Sequence, residues 1–74
     1  MNVEVRLFAG LRKGRFRREV LDLPEPATIR SLLAGIDVPA EHVAMPLVNG
    51  RYCDLDQPLG PEDVVSLFPP VAGG

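Results

Sequence analysis

The residues best suited to chemistry close the sequence, where Pro69-Pro70 is followed by Val71-Ala72-Gly73-Gly74. A terminal carboxylate is inert until it is activated. Adenylation by ATP makes it electrophilic, and a sulfur or amine nucleophile then displaces AMP. Two glycines without Cβ atoms let the backbone enter a narrow channel. Five extended residues counted from Pro70 span roughly 15 Å. The terminal carboxylate of Gly74, preceded by Ala72 and Gly73, would then reach a remote active site as a nearly naked acyl group. A Gly-Gly ending also occurs as a plain frayed terminus, so the residues before it decide its meaning.

The rest of the chain offers no catalytic constellation. It holds one His, one Cys and two Ser. One Cys and one His cannot fill a four-ligand zinc site. His42 is expected on a surface loop and Cys53 as a small packing residue. Gly10-Leu11-Arg12-Lys13-Gly14 lacks the spacing of a phosphate loop. Asp54, Asp56, Glu62 and Asp63 lie in a turn-rich stretch and read as solvated turn residues rather than metal ligands.

The elements that would present the terminus can be read from periodicity. Val3, Val5 and Leu7 alternate with Asn2, Glu4 and Arg6, the mark of a half-buried strand. Residues 9–15 break that pattern with two glycines. Residues 16–23 read as a second strand, ended by Pro24 and Pro26. Thr28 suits a helix N-cap. Ile29, Leu32, Leu33 and Ile36 then share one helical stripe, and Gly35 is expected to stop the helix in a left-handed conformation. Residues 43–49 are apolar and lead into Asn49-Gly50, a strong hairpin signal, with Arg51-Tyr52-Cys53 returning. Pro46 predicts an edge or a bulge. Val64 to Phe68 forms the last strand, with Val65 and Leu67 on one face and Phe68 on the other. Strand, strand, helix, strand, short strand, strand is an α+β, β-grasp (ubiquitin-like) order: a mixed sheet of about five strands with one short helix across one face. Residues 1–70 are expected to form this domain and 71–74 a flexible tail. Phe68 beside Pro69-Pro70 is expected to form an apolar docking patch.

Composition narrows the class. The 74 residues make one domain, and 46% hydrophobic with 24% charged residues excludes disorder throughout. A lone cysteine forms no intrachain disulfide, which points to the reducing cytoplasm. Neither a membrane span nor a signal peptide is expected. The charge is polarised. Residues 1–18 carry Arg6, Arg12, Lys13, Arg15, Arg17 and Arg18 against Glu4, a net +5, while residues 19–74 sum to −7. With no Trp, one Tyr and three Phe, nucleic acid is not an expected partner. The 12–18 stretch reads as a solvated loop or as a docking patch for an acidic protein surface.

Three stretches carry a family resemblance: Val5-Arg6-Leu7-Phe8-Ala9-Gly10-Leu11-Arg12; Val48-Asn49-Gly50 with Asp56, Pro58, Leu59 and Asp63; and Phe68-Pro69-Pro70-Val71-Ala72-Gly73-Gly74. The chain resembles the MoaD branch of the MoaD/ThiS sulfur-carrier family. The double proline before the terminal glycines favours the MoaD type over the ThiS type. The resemblance implies a small subunit of molybdopterin synthase, not catalytic alone. By matching positions it implies Gly74 as the acyl carrier, Gly73 and Ala72 as the slender tail, and Phe68, Pro69, Pro70 and Val71 as the rigid base of the tail and part of the docking surface. The terminal glycine, here Gly74, would be adenylated by an E1-like adenylyltransferase of the MoeB type and converted to a thiocarboxylate. It would then donate sulfur to the cyclic pyranopterin precursor inside the MoaE-type large subunit. It implies no cofactor on this chain and no metal site, with ATP and Mg used by the activating partner. Pro61-Glu62-Asp63 stands where the family has an acidic-Gly-Asp turn, so a different turn is expected there. Residues 12–18 are also more basic than usual. Other classes stay open: a sulfur carrier for thiamin, cysteine or tRNA thiolation, a ubiquitin-like protein modifier, and a noncovalent binding module.

Overall fold

The computed structural model describes residues 1–70. The expectations placed on Val71, Ala72, Gly73 and Gly74 lie outside the described residues. Five strands form one mixed sheet in the order β2-β1-β5-β3-β4. They are β1 (Asn2–Leu7), β2 (Arg18–Asp22), β3 (Met45–Val48), β4 (Arg51–Tyr52) and β5 (Val64–Phe68), with one helix, α1 (Ile29–Gly35), between β2 and β3. β1 pairs antiparallel with β2 and parallel with β5. β3 pairs antiparallel with both β5 and β4.

The alternation read in the sequence sets the register. Val5 lies opposite Val65 and Leu7 opposite Leu67 across the parallel pair. Val3, Val5, Leu7, Val65 and Leu67 are fully buried against Ile29, Leu32 and Leu33 of α1. The helix is too short to persist alone, and burying this stripe on the sheet is what stabilises it.

Its N-terminus is closed by unusually complete pairing. Thr28 Oγ1 accepts from the Ser31 N–H, and Ser31 Oγ accepts from the Thr28 N–H. The Ile29 and Arg30 N–H groups donate to the carbonyls of Gln57 and Leu55. Arg30 Nε also meets Asp56 at 3.0 Å. The turn-rich 54–59 segment thus satisfies the free donors of the helix.

Four local expectations need correction or refinement. The second strand is shorter than 16–23, because only 18–22 pair with β1. Residues 9–15 lie in the irregular connection of the β1–β2 hairpin, where one 3-10 turn over Ala9–Arg12 buries Leu11. Gly35 does not end the helix in a left-handed conformation. That role falls to Asp37, at φ +56°. The Val38 N–H then donates to the Leu33 carbonyl at 3.0 Å, and Val38 is buried with Leu33. This is the Schellman arrangement, and burying Val38 places the stop two residues beyond the glycine. The fourth concerns Pro46, which lies in an interior strand. Its carbonyl accepts from the Cys53 N–H at 3.1 Å. Its missing N–H faces the same side, at the last rung toward the short edge strand β4, so little pairing is lost.

The hairpin expectation holds. Asn49 and Gly50 take φ +53° and +81°, as a two-residue type I′ turn requires. Glu62 takes φ +67°, a left-handed conformation without a glycine, in the turn before β5. Asp63 holds it by accepting from the Gly60 N–H and from Asn49 Nδ2.

Candidate functional site

Parallel pairing brings the ends of β1 and β5 to the same edge of the sheet. The last residue of β5 is Phe68, followed by half-buried Pro69 and exposed Pro70. Beside it, Phe8 follows β1, and its N–H donates to the Leu67 carbonyl at 3.1 Å. The two rings stack with centroids 4.2 Å apart and planes 13° from parallel. On the other flank the Ala44 N–H donates to the Phe68 carbonyl at 2.9 Å. Phe68 is therefore held by neighbours on both sides at the point where the proline pair begins.

Phe68 sits on the sheet face opposite the helix, as its phase to Val65 and Leu67 predicts. It is half-buried rather than free, because Phe8 covers it. Met45 lies opposite Phe68 in the β3–β5 register and remains 48% exposed. Along the same outer face, Val20 and Tyr52 are also exposed. Apolar side chains on an open sheet face beside a chain exit suit a protein contact.

Arg12 completes this root. Its Nε donates to the Leu7 carbonyl at 2.8 Å, and its guanidinium carbon lies 5.5 Å from the centre of the Phe8 ring. The backbone bond and the cation–π contact fix the guanidinium against the aromatic pair.

Of the expected site residues, Phe68, Pro69 and Pro70 come together at this root. Val71, Ala72, Gly73 and Gly74 are outside the described residues. Phe8, Arg12 and Met45 were not singled out for the site. The signal for Phe8 was present, since it extends the outer-face alternation of Asn2, Glu4 and Arg6 by one step.

The remaining candidates take structural roles. His42 is exposed at the end of a 3-10 turn over Ala40–His42. Cys53 is half-buried, with Sγ 3.7 Å from the Pro46 carbonyl. Burial, and then the nearby Asp54 charge, push its thiol pKa upward, the opposite of an activated nucleophile. Asp54 accepts from the Asp56 N–H, and Asp63 belongs to the turn before β5. Among the described residues no group of three His, Cys, Asp or Glu side chains could hold a metal ion. None of the described helices is long and apolar enough to cross a membrane. An open cleft of about 660 Å³ lies at the hairpin end, lined in part by Asn49, Arg51, Tyr52 and Asp63. Asn49 and Asp63 are already bonded to each other there, and β5 begins rather than ends at that side.

Solved structures share this arrangement. A protein described as molybdopterin converting factor, subunit 1, from Pyrococcus furiosus is 33% identical, with a TM-score of 0.76 over 96% of this chain and 99% of that one. SAMP1 from Haloferax volcanii is 26% identical, with a TM-score of 0.75 over the whole of both chains. A complex of subunits 1 and 2 of molybdopterin-converting factor from Helicobacter pylori contains a similar chain. It is 29% identical, with a TM-score of 0.69 over the whole of both chains. A search of the curated proteins gives no match. The sequence pattern of the ThiS family matches residues 5–74, from the first strand through the terminal glycines. Fold and sequence pattern agree, and the chain belongs to the ThiS family.

Proposed function

We propose that the chain is a sulfur carrier of the MoaD type, the small subunit of a molybdopterin synthase. The observation that carries this is the family match reaching Gly74, on a fold whose last strand leads through Pro69-Pro70 into Gly73-Gly74. Likeness to a molybdopterin converting factor subunit 1 supports the pathway. Likeness to a chain in a subunit 1–subunit 2 complex supports a large-subunit partner.

The chain itself needs little chemistry for this role. Its Gly74 carboxylate attacks the α-phosphorus of ATP on an E1-like adenylyltransferase of the MoeB type, releasing pyrophosphate. A sulfur nucleophile then displaces AMP, leaving a thiocarboxylate. The large subunit accepts this terminus and directs its sulfur to the cyclic pyranopterin precursor. Gly73 and Gly74 keep the passage free of side chains. Phe8, Phe68, Met45 and the proline pair give the terminus a fixed origin and an apolar surface against the partner. ATP and Mg act in the adenylyltransferase, and this chain holds no cofactor.

Intact-protein mass spectrometry of the untagged chain from its native host tests the proposal. The expected result is a fraction with one C-terminal oxygen replaced by sulfur, located at Gly74 by fragmentation. A wholly plain carboxylate in cells making the cofactor overturns it. The SAMP1 likeness favours a second reading, a protein modifier joined through Gly74 to target lysines. Higher-mass adducts in immunoblots of host extract would support that reading. A carrier alone predicts their absence.

A further inference from the structure

The arginines of the 12–18 stretch are not spread over a loop. Arg12, Arg17 and Arg18 converge with Arg6, Leu7 and Phe8 on one cleft of about 260 Å³. The cleft opens beside the aromatic root from which the chain leaves β5. β2 folds back along β1 and pairs Arg6 with Arg18, while the Leu7 N–H donates to the Arg17 carbonyl. The hairpin thereby gathers four guanidinium groups at one corner of the sheet.

Their neutralisation is incomplete. Glu4 is the carboxylate that faces them, meeting Arg6 at 2.6 Å and Arg18 at 3.6 Å. Arg15 points elsewhere, to the carbonyls of Leu11 and Asp37. Arg12 and Arg17 have no carboxylate partner among the described residues. Arg12 is also preorganised by the Leu7 carbonyl and the Phe8 ring. A rigid guanidinium loses less freedom on binding a carboxylate.

We propose that this cleft receives an acidic segment of the carrier's protein partner, whose carboxylates pair with Arg12 and Arg17 as the terminus is threaded. The inference rests on the sulfur-carrier reading and adds the chemistry of the partner surface. The site is continuous with the Phe8–Phe68 root, so one partner surface reaches both. Three observations favour a protein segment over a nucleic acid. The cluster of arginines is confined to one corner. β2 turns acidic at once, with Glu19 and Asp22 exposed beyond Arg18. The nearby aromatic rings are stacked on each other rather than open to bases. Steering by such a cluster acts mainly on the association rate and weakens with salt.

The test measures association of the full chain with the large subunit from the same host at low and high salt. Arg17→Glu is compared with Arg51→Glu, an exposed arginine of the hairpin that gives the same change in net charge. Arg17→Glu is expected to slow association about tenfold at low salt, and Arg51→Glu by less than about twofold. Equal effects of the two variants, or none from Arg17→Glu, overturn the cleft and leave the carrier reading intact. Failure of the unaltered chain to associate counts against the carrier reading instead. NMR titration of the chain with octaglutamate then still reads the cleft. Shifts centred on Phe8, Arg12 and Arg17 are expected. Scattered shifts, or stronger ones at these residues from octauridylate RNA, overturn the proposal.

Discussion

The two faces of the sheet are built from the same strands and put their apolar residues to different ends. On the inner face Val3, Val5, Leu7, Val65 and Leu67 are wholly covered by Ile29, Leu32 and Leu33. On the outer face Val20, Met45 and Tyr52 stay exposed, and Phe8 and Phe68 stack on each other. Strand alternation delivers both arrangements, since each residue step reverses the side chain. The inner face holds the molecule together. The outer face leaves apolar area open, with Met45 opposite the last residue of β5. Stability and recognition are thus separable by position, even between adjacent residues such as Leu67 and Phe68.

That separation can be broken most sharply beyond β5. Deleting Gly73 and Gly74 is expected to abolish thiocarboxylate formation while leaving the melting temperature unchanged. Activity retained after the deletion, measured by product formation with the large subunit, would show that the chain acts by noncovalent binding. Next in size is a change on the covered face. Leu33→Ala removes a buried side chain from the helix stripe and is expected to cost about 2–5 kcal/mol in urea unfolding. Partner affinity of the still-folded fraction should be preserved.

Phe68→Ala tests the outer face. It should weaken binding to the large subunit at least about tenfold. Its stability cost should stay below about 1.5 kcal/mol, because a stacked pair is lost rather than a core residue. A large fall in melting temperature with unchanged affinity would join Phe68 to the core and erase the contrast at its narrowest point.

The smallest effect marks the rim between the faces. The Cys53 thiol is raised by burial and by Asp54, so at a mildly alkaline pH it is less ionised than in the unfolded chain. Iodoacetamide should modify the native chain more slowly than the urea-unfolded chain at pH 8. The sign for stability follows. The preference for neutral thiol costs nothing below the unfolded-state pKa, and stability falls as pH rises above it. Equal alkylation rates would place Cys53 outside the packed rim.

Much of the architecture was legible because it rests on local patterns. Thr28 capped the helix as its hydroxyl predicts, and Asn49-Gly50 made the hairpin turn. Gly35 was misleading because a helix end is chosen by what becomes buried next. Leu33 and Val38 close the C-terminus together, which obliges Asp37 to take the left-handed conformation. Part of the site was hidden for a different reason. Phe8 and Phe68 are 60 positions apart, and only the parallel pairing of the first and last strands stacks them. Arg17 and Arg18 read in the sequence as part of a solvated loop or of a docking patch, and only the hairpin places them beside Arg6 and Arg12.

The strand order has one more consequence. β5 comes last of the five strands in the sequence and is the middle strand of the sheet, with β1 on one side and β3 on the other. Without Val64–Phe68 the sheet would fall into two halves, β2-β1 and β3-β4. The same insertion that joins the halves seats Phe68 on Phe8. Any contact that depends on the stacked rings therefore also depends on the central strand being in place.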